Sequence, residues 1–244
     1  MATLEAHRKT PSKRVLFAQK HSPEAVAKAT VLALVKGDPI SIVKRSIRRH
    51  QFRKWYEDWT TAIERDRLRP EDILPALRVG WRLICKILFF GALQDVPVTF
   101  KANLNRDENA LGRTGYGGED GSIFIELDPE AARAREGMSV SETIVYTLIH
   151  EACHAFLIKH SCICETCDFE ACRDRRPFEL GGGHGISWQI LTMGVEQNAR
   201  KCLGVDVDLQ RSKDAVNDLR KRNDALYLNF EWVCRKFFGW AAVL

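Results

Sequence analysis

No run of about 18 apolar residues occurs anywhere in this 244-residue chain, so no transmembrane helix is expected. The first twenty residues, Met1 to Lys20, are basic and polar, and they lack the apolar stretch of about 7–15 residues that a secretory signal needs. The simplest compartment is therefore intracellular and reducing. The eight cysteines then read first as thiols or metal ligands and not as a disulfide framework. No paired-cysteine zinc ribbon and no obvious partner-binding tail follows the central part of the chain.

What is present is an ordinary apolar share of 45%, enough for a real core. The length suits one domain, or one domain with a helical arm. Net charge is +5, and the basic residues cluster. Lys36–Arg69 holds ten Lys/Arg against five acids. DNA contact through these basic N-terminal helices is one reading. A solvated helix face is the other.

The organisation follows from periodicity. Residues 1–22 show none and are expected to be a disordered basic N-terminus. Residues 23–95 read as a helical N-terminal part: Pro23–Lys36, then Ile40–Glu64 with Ile42, Val43, Ile47, Trp55 and Trp59 apolar, then Glu71 to about Phe90, with Gly91 as a stop. Residues 96–210 read as the core unit. Val96–Phe100 is a strand. Ala110–Tyr116 and Ser122–Leu127 form a hairpin around a Gly-rich turn, with Ile123, Ile125 and Leu127 on one side. Residues 211–244 read as a C-terminal amphipathic helix.

Within the core unit stands His150-Glu151-Ala152-Cys153-His154, an H-E-x-x-H motif in a helical segment. Ser139-x-x-Glu142 supplies a capping box for its start. Residues i and i+4 lie on one helical face, so two imidazoles can grip one Zn²⁺ with the glutamate beside them as general base. Cys153 falls at the edge of the apolar stripe, where packing suits it better than ligation.

A catalytic zinc takes three protein ligands. His160 has the spacing of a longer zinc motif, but Leu157 stands where that motif needs glycine. A continuing helix would turn His160 roughly 240° away from His154. Glu196, on the helix Ser187–Leu203, is a second candidate. His184 is the strongest. It sits in Gly181-Gly182-Gly183-His184-Gly185, where absent side chains permit a close approach to the metal.

Cys162, Cys164, Cys167 and Cys172 crowd the stretch between His154 and His184. A second, structural Zn²⁺, disulfides and unpaired thiols all remain open for them. No oxyanion donor stands out. Arg113 and Tyr116 near the hairpin are candidates, against packing or solvation as their ordinary roles.

These motifs resemble the SprT-like (Spartan-type) metallopeptidase family. The likeness rests on His150-Glu151-x-Cys153-His154-Ala155-Phe156 and His184-Gly185-x-x-Trp188. The hairpin segments Leu111-Gly112-Arg113-Thr114-Gly115 and Ile123-Phe124-Ile125-Glu126-Leu127 extend it. The resemblance covers roughly residues 80–205. It implies an α+β fold: a mainly helical, zincin-like domain with a small antiparallel β-hairpin or sheet before the H-E-x-x-H helix. It implies Zn²⁺ on His150, His154 and His184, with Glu151 as catalytic base. It also implies proteolysis of proteins bound or crosslinked to DNA, which would belong in the nucleus. The alternative is a non-catalytic, zinc-containing nucleic-acid or chromatin adaptor.

Overall fold

The computed structural model describes residues 22–36, 42–65, 70–104, 106, 110–117, 122–130, 137–161 and 184–211. The expected disordered N-terminus (save Ser22), the four-cysteine stretch, Cys234 and the C-terminal helix (save Arg211) lie outside them. Among the described residues no helix is long and apolar enough to cross a membrane.

Among the described residues, five helices and a three-stranded sheet make an α+β fold. In chain order they are α1 Pro23–Lys36, α2 Ile42–Glu64, α3 Pro70–Leu88, β1 Val98–Phe100, β2 Gly112–Gly117, β3 Ser122–Leu127, α4 Val140–His160 and α5 Ile186–Cys202. The expected hairpin is present: β2 pairs antiparallel with β3, Thr114 opposite Ile125. The first strand adds something the sequence reading did not foresee. β1 pairs with β3 in parallel, Val98 opposite Ile125, so the sheet order is β1-β3-β2. Alternation along β3 buries Ile125 and Leu127 against α4. Phe124 and Glu126 stand on the other face, with Arg113 bonded to Glu126 and lying over the Phe124 ring.

One core joins the five described helices with β1 and β3, from Val26 and Leu34 on α1 to Val207 and Leu209 beyond α5. One sequence expectation for α2 needs correcting. Ile47, one of the expected apolar positions, is 54% exposed, whereas Phe52 is fully buried. The helix turns Phe52 inward together with the expected Trp55 and Trp59. Trp55 lies across Gly80 of α3, where a Cβ would come within 2.1 Å of its ring. Its indole N–H donates to the Ala76 carbonyl at 3.0 Å. Glycine is therefore required at position 80 by contact, against helix propensity. We expect Gly80→Ala to lower the unfolding free energy by about 1–3 kcal/mol through overpacking, outweighing the roughly 0.8–1.0 kcal/mol that alanine gains in a helix. Denaturant unfolding measures this. Unchanged stability would mean that Trp55 swings aside freely.

α4 is held at both ends. Ser139 and Glu142 make the capping box, both arms present. The Glu64 carboxylate at the end of α2 accepts from the Ser141 N–H at 3.0 Å, and the Trp59 indole donates to the Ser141 carbonyl at 3.3 Å. A carboxylate at a helix N-terminus also meets the positive end of the helix dipole. At the other end, Lys159 donates to the Ala92 carbonyl at 2.8 Å and pairs with Asp95.

Candidate metal centre

α4 buries Ile144, Val145, Leu148, Ile149, Ala152 and Phe156 on one side, as its stripe predicts. The 3.6-residue repeat then leaves His150 and His154 to face α5. The turn before α5 brings in His184. His150 Nε2 lies 3.1 Å from His184 Nε2 and 3.3 Å from His154 Nε2. All three ligand atoms fall within 4.8 Å of one another, an arrangement that could hold a metal ion. A zinc site with Zn–N bonds of 2.0–2.1 Å and tetrahedral angles sets its nitrogens roughly 3.3–3.4 Å apart. The 3.3 Å separation matches that spacing, and the 3.1 Å separation is about 0.2 Å short of it.

Trp188, in the first turn of α5, forms the floor. It is fully buried, and its ring centroid is 4.5 Å from that of His184, 4.7 Å from His150 and 5.3 Å from His154. It stacks on His154 at an interplanar angle of 19°. Burial, and then the neighbouring His150 and His184, hold the His154 pKa well below its usual value. The ring is thus kept neutral, the form that binds a metal.

The tautomer of His150 follows from its other nitrogen. Nδ1 lies 3.2 Å from the Leu209 carbonyl oxygen, which can only accept. Nδ1 must therefore carry the proton, leaving the Nε2 lone pair turned towards His154 and His184.

Glu151, next to His150, is 6% exposed. It faces the hairpin. Thr114 of β2 places its hydroxyl 2.8 Å from Glu151 Oε2 and 2.9 Å from the Glu151 carbonyl. One hydroxyl proton serves one of these acceptors at a time. The close approach depends on Gly112, where a Cβ would sit 2.8 Å from Thr147 Cγ2 and 3.0 Å from Glu151 Cγ. Thr114 was missed in the sequence, although strand alternation from Gly112 puts it on the same face.

The other candidates fall elsewhere. His160 is buried at the end of α4. It is 6% exposed, packed against Phe156 at 4.8 Å, and outside the three-histidine group. Glu196 is neither a ligand nor a solvated residue. It accepts from the Leu209 N–H at 2.9 Å and pairs with Arg211. Arg113 is engaged with Glu126 at 2.7 Å, and the Tyr116 side chain lies outside the description. Cys153 is fully buried. Burial, then Glu196 and Glu151, push its thiol pKa well up, so it stays protonated and packs as expected. Cys162, Cys164, Cys167 and Cys172 lie outside the described residues.

The helix after the third histidine keeps its expected inner stripe. Trp188, Leu191, Thr192, Val195, Ala199 and Cys202 are all buried, and Gly204 ends it with φ +88°. Comparison with protein-family models, curated proteins and solved structures gave no match.

Proposed function

We propose that this protein is a zinc-dependent metalloendopeptidase of the SprT-like type. The observation that carries the reading is the meeting of three imidazole nitrogens, two from α4 and one from the turn before α5, with a buried glutamate adjoining one of them on α4. A purely structural site needs no general base beside its ligands, and it would need a fourth ligand to close it. Zinc held by His150, His154 and His184 would acidify a water molecule and polarise a peptide carbonyl.

The chain's own groups supply the proton handling. Glu151 takes the proton from the attacking water and returns it to the leaving amine. Thr114 holds the carboxylate against the sheet, so that its orientation does not depend on solvent. Trp188 keeps water from one side of the histidines. Its contact with all three rings fixes their relative tilt, because a packed ring cannot rotate without displacing its neighbours.

Substrates would be proteins or peptides, and DNA-associated proteins are the class the resemblance suggests. α2 supports a DNA-side contact: Arg48, Arg49, Arg53 and Lys54 are exposed on it. Arg49 and Arg53 also reach across Gly204, close to the end of α5. Basic side chains clustered in this way attract phosphate.

The test is to assay metal-loaded full chain against an unstructured protein, with and without DNA, alongside metal analysis. Cleavage that stops on chelation and quickens with DNA is expected. About one zinc per chain with no cleavage under either condition would overturn the peptidase reading and leave the zinc-containing adaptor.

A further inference from the structure

The segment after α5 is fastened to the metal centre in a way that the three ligands do not explain. Glu196 and Gln189 lie seven residues apart on α5, two turns along one face. Both reach the chain that follows the helix. Glu196 accepts from the Leu209 N–H at 2.9 Å and pairs with Arg211. The Gln189 amide donates to the Arg211 carbonyl at 3.3 Å and to the His184 carbonyl at 3.4 Å. From the side of α4, the Tyr146 hydroxyl donates to the Asp206 carbonyl at 2.8 Å. The peptide so held is the one whose far end, the Leu209 carbonyl, accepts from His150 Nδ1.

We propose that Glu196 is a positioning residue for the metal centre. By gripping the Leu209 N–H it sets the Leu209 carbonyl at His150, and so fixes the tautomer and ring angle of that ligand. The inference rests on the three-histidine metal reading above and adds a residue to it. Its physical basis is simple. A ligating histidine whose second nitrogen has no acceptor can take the other tautomer, which puts a proton where the metal must bind. It can also rotate about its ring axis. Outer partners of this kind typically change metal affinity by about 10–100-fold. Most use a carboxylate or carbonyl directly. Here a carboxylate acts one peptide removed, through the carbonyl of a residue whose N–H it holds. Glu196 is mostly buried, with 17% of its side chain exposed, and it is committed on both oxygens. That commitment fits a role in holding the segment better than one in contacting solvent.

The experiment measures zinc affinity by competition with a chromophoric chelator. It compares wild type, Glu196→Ala, Glu196→Gln and Glu196→Asp, with melting of the chelated proteins as the control for folding. Nitrogen NMR of the zinc-loaded proteins reads the His150 tautomer. Glu196→Ala is expected to bind zinc about 10–100-fold more weakly and to blur the Nδ1–H signal of His150. Glu196→Gln keeps an acceptor for the Leu209 N–H and is expected to restore both. Glu196→Asp withdraws the carboxylate by one methylene and is expected to weaken zinc with the chelated melt unchanged. It decides the matter if the alanine variant does not fold. Wild-type zinc affinity and an unaltered His150 tautomer in Glu196→Asp would overturn the positioning role while leaving the three-histidine site intact. A wild-type protein that binds no zinc would overturn the site itself, and the positioning role with it.

Discussion

Glu151→Gln is expected to keep about one zinc per chain and to lose peptide hydrolysis by roughly 10²–10⁴-fold, the usual worth of a positioned general base. The substitution is informative because it changes little else. Glutamine has the same length and shape, so the close fit between Gly112 and Glu151 Cγ is preserved. Its amide oxygen can still accept from Thr114 in place of Oε2. What it cannot do is take a proton. A buried carboxylate kept only to fasten the hairpin to α4 would tolerate the change with its rate intact. The two roles therefore separate on the rate alone, with zinc content and melting as controls. Cleavage at the wild-type rate with zinc bound would remove Glu151 from the chemistry and the mechanism with it.

Much of this centre is legible in the sequence because its parts are local. The capping box Ser139–Glu142 and the four-residue interval between His150 and His154 are consequences of one helix, and both appear as expected. The glycine at 204 ends α5 with a positive φ for the same local reason. His184 was reachable by a weaker argument, that the glycines around it admit a close approach. The structure brings it to the other two histidines, as that argument required.

What escaped the sequence depends on contacts between distant segments. Thr114 meets Glu151 across 37 residues, and His150 meets Leu209 across 59. No spacing rule encodes either. Glu196 shows the cost most clearly. As a helical carboxylate it could be weighed as a ligand or as a solvated residue, and its real partners lie on the segment after the helix. The burial of Phe52 and the exposure of Ile47 are of the same kind. Both are apolar, and which one turns inward is decided by how α2 lies on its neighbours. The parallel pairing of β1 with β3 likewise needs the whole chain path, since a three-residue strand carries almost no signal of its own.

His184→Ala gives the largest effect expected on the metal itself. The variant leaves two histidines one helical turn apart, and it removes the ligand supplied by a separate segment. Loss of an outer hydrogen-bond partner weakens metal binding by about 10–100-fold, and loss of a ligand should exceed that. A preparation purified without chelator is then expected to fall from about one zinc per chain to a small fraction of it. The fold should barely notice. His184 is half-buried, the fully buried Trp188 stays in place, and α5 retains its inner stripe. Unfolding of the chelated variant should therefore differ from wild type by no more than about 1 kcal/mol, the typical cost of a single substitution. The contrast appears when zinc is added. A ligand that binds the folded state at 100 times its dissociation constant stabilises it by about 2.7 kcal/mol, and this increment should be present in wild type and missing from the variant. Mass spectrometry for metal content and paired denaturation curves, with and without zinc, give the answer together. Full zinc in the variant would take His184 out of the centre. The closeness of His184 Nε2 to His150 Nε2 would then be a packing contact, held by Trp188 beneath both rings.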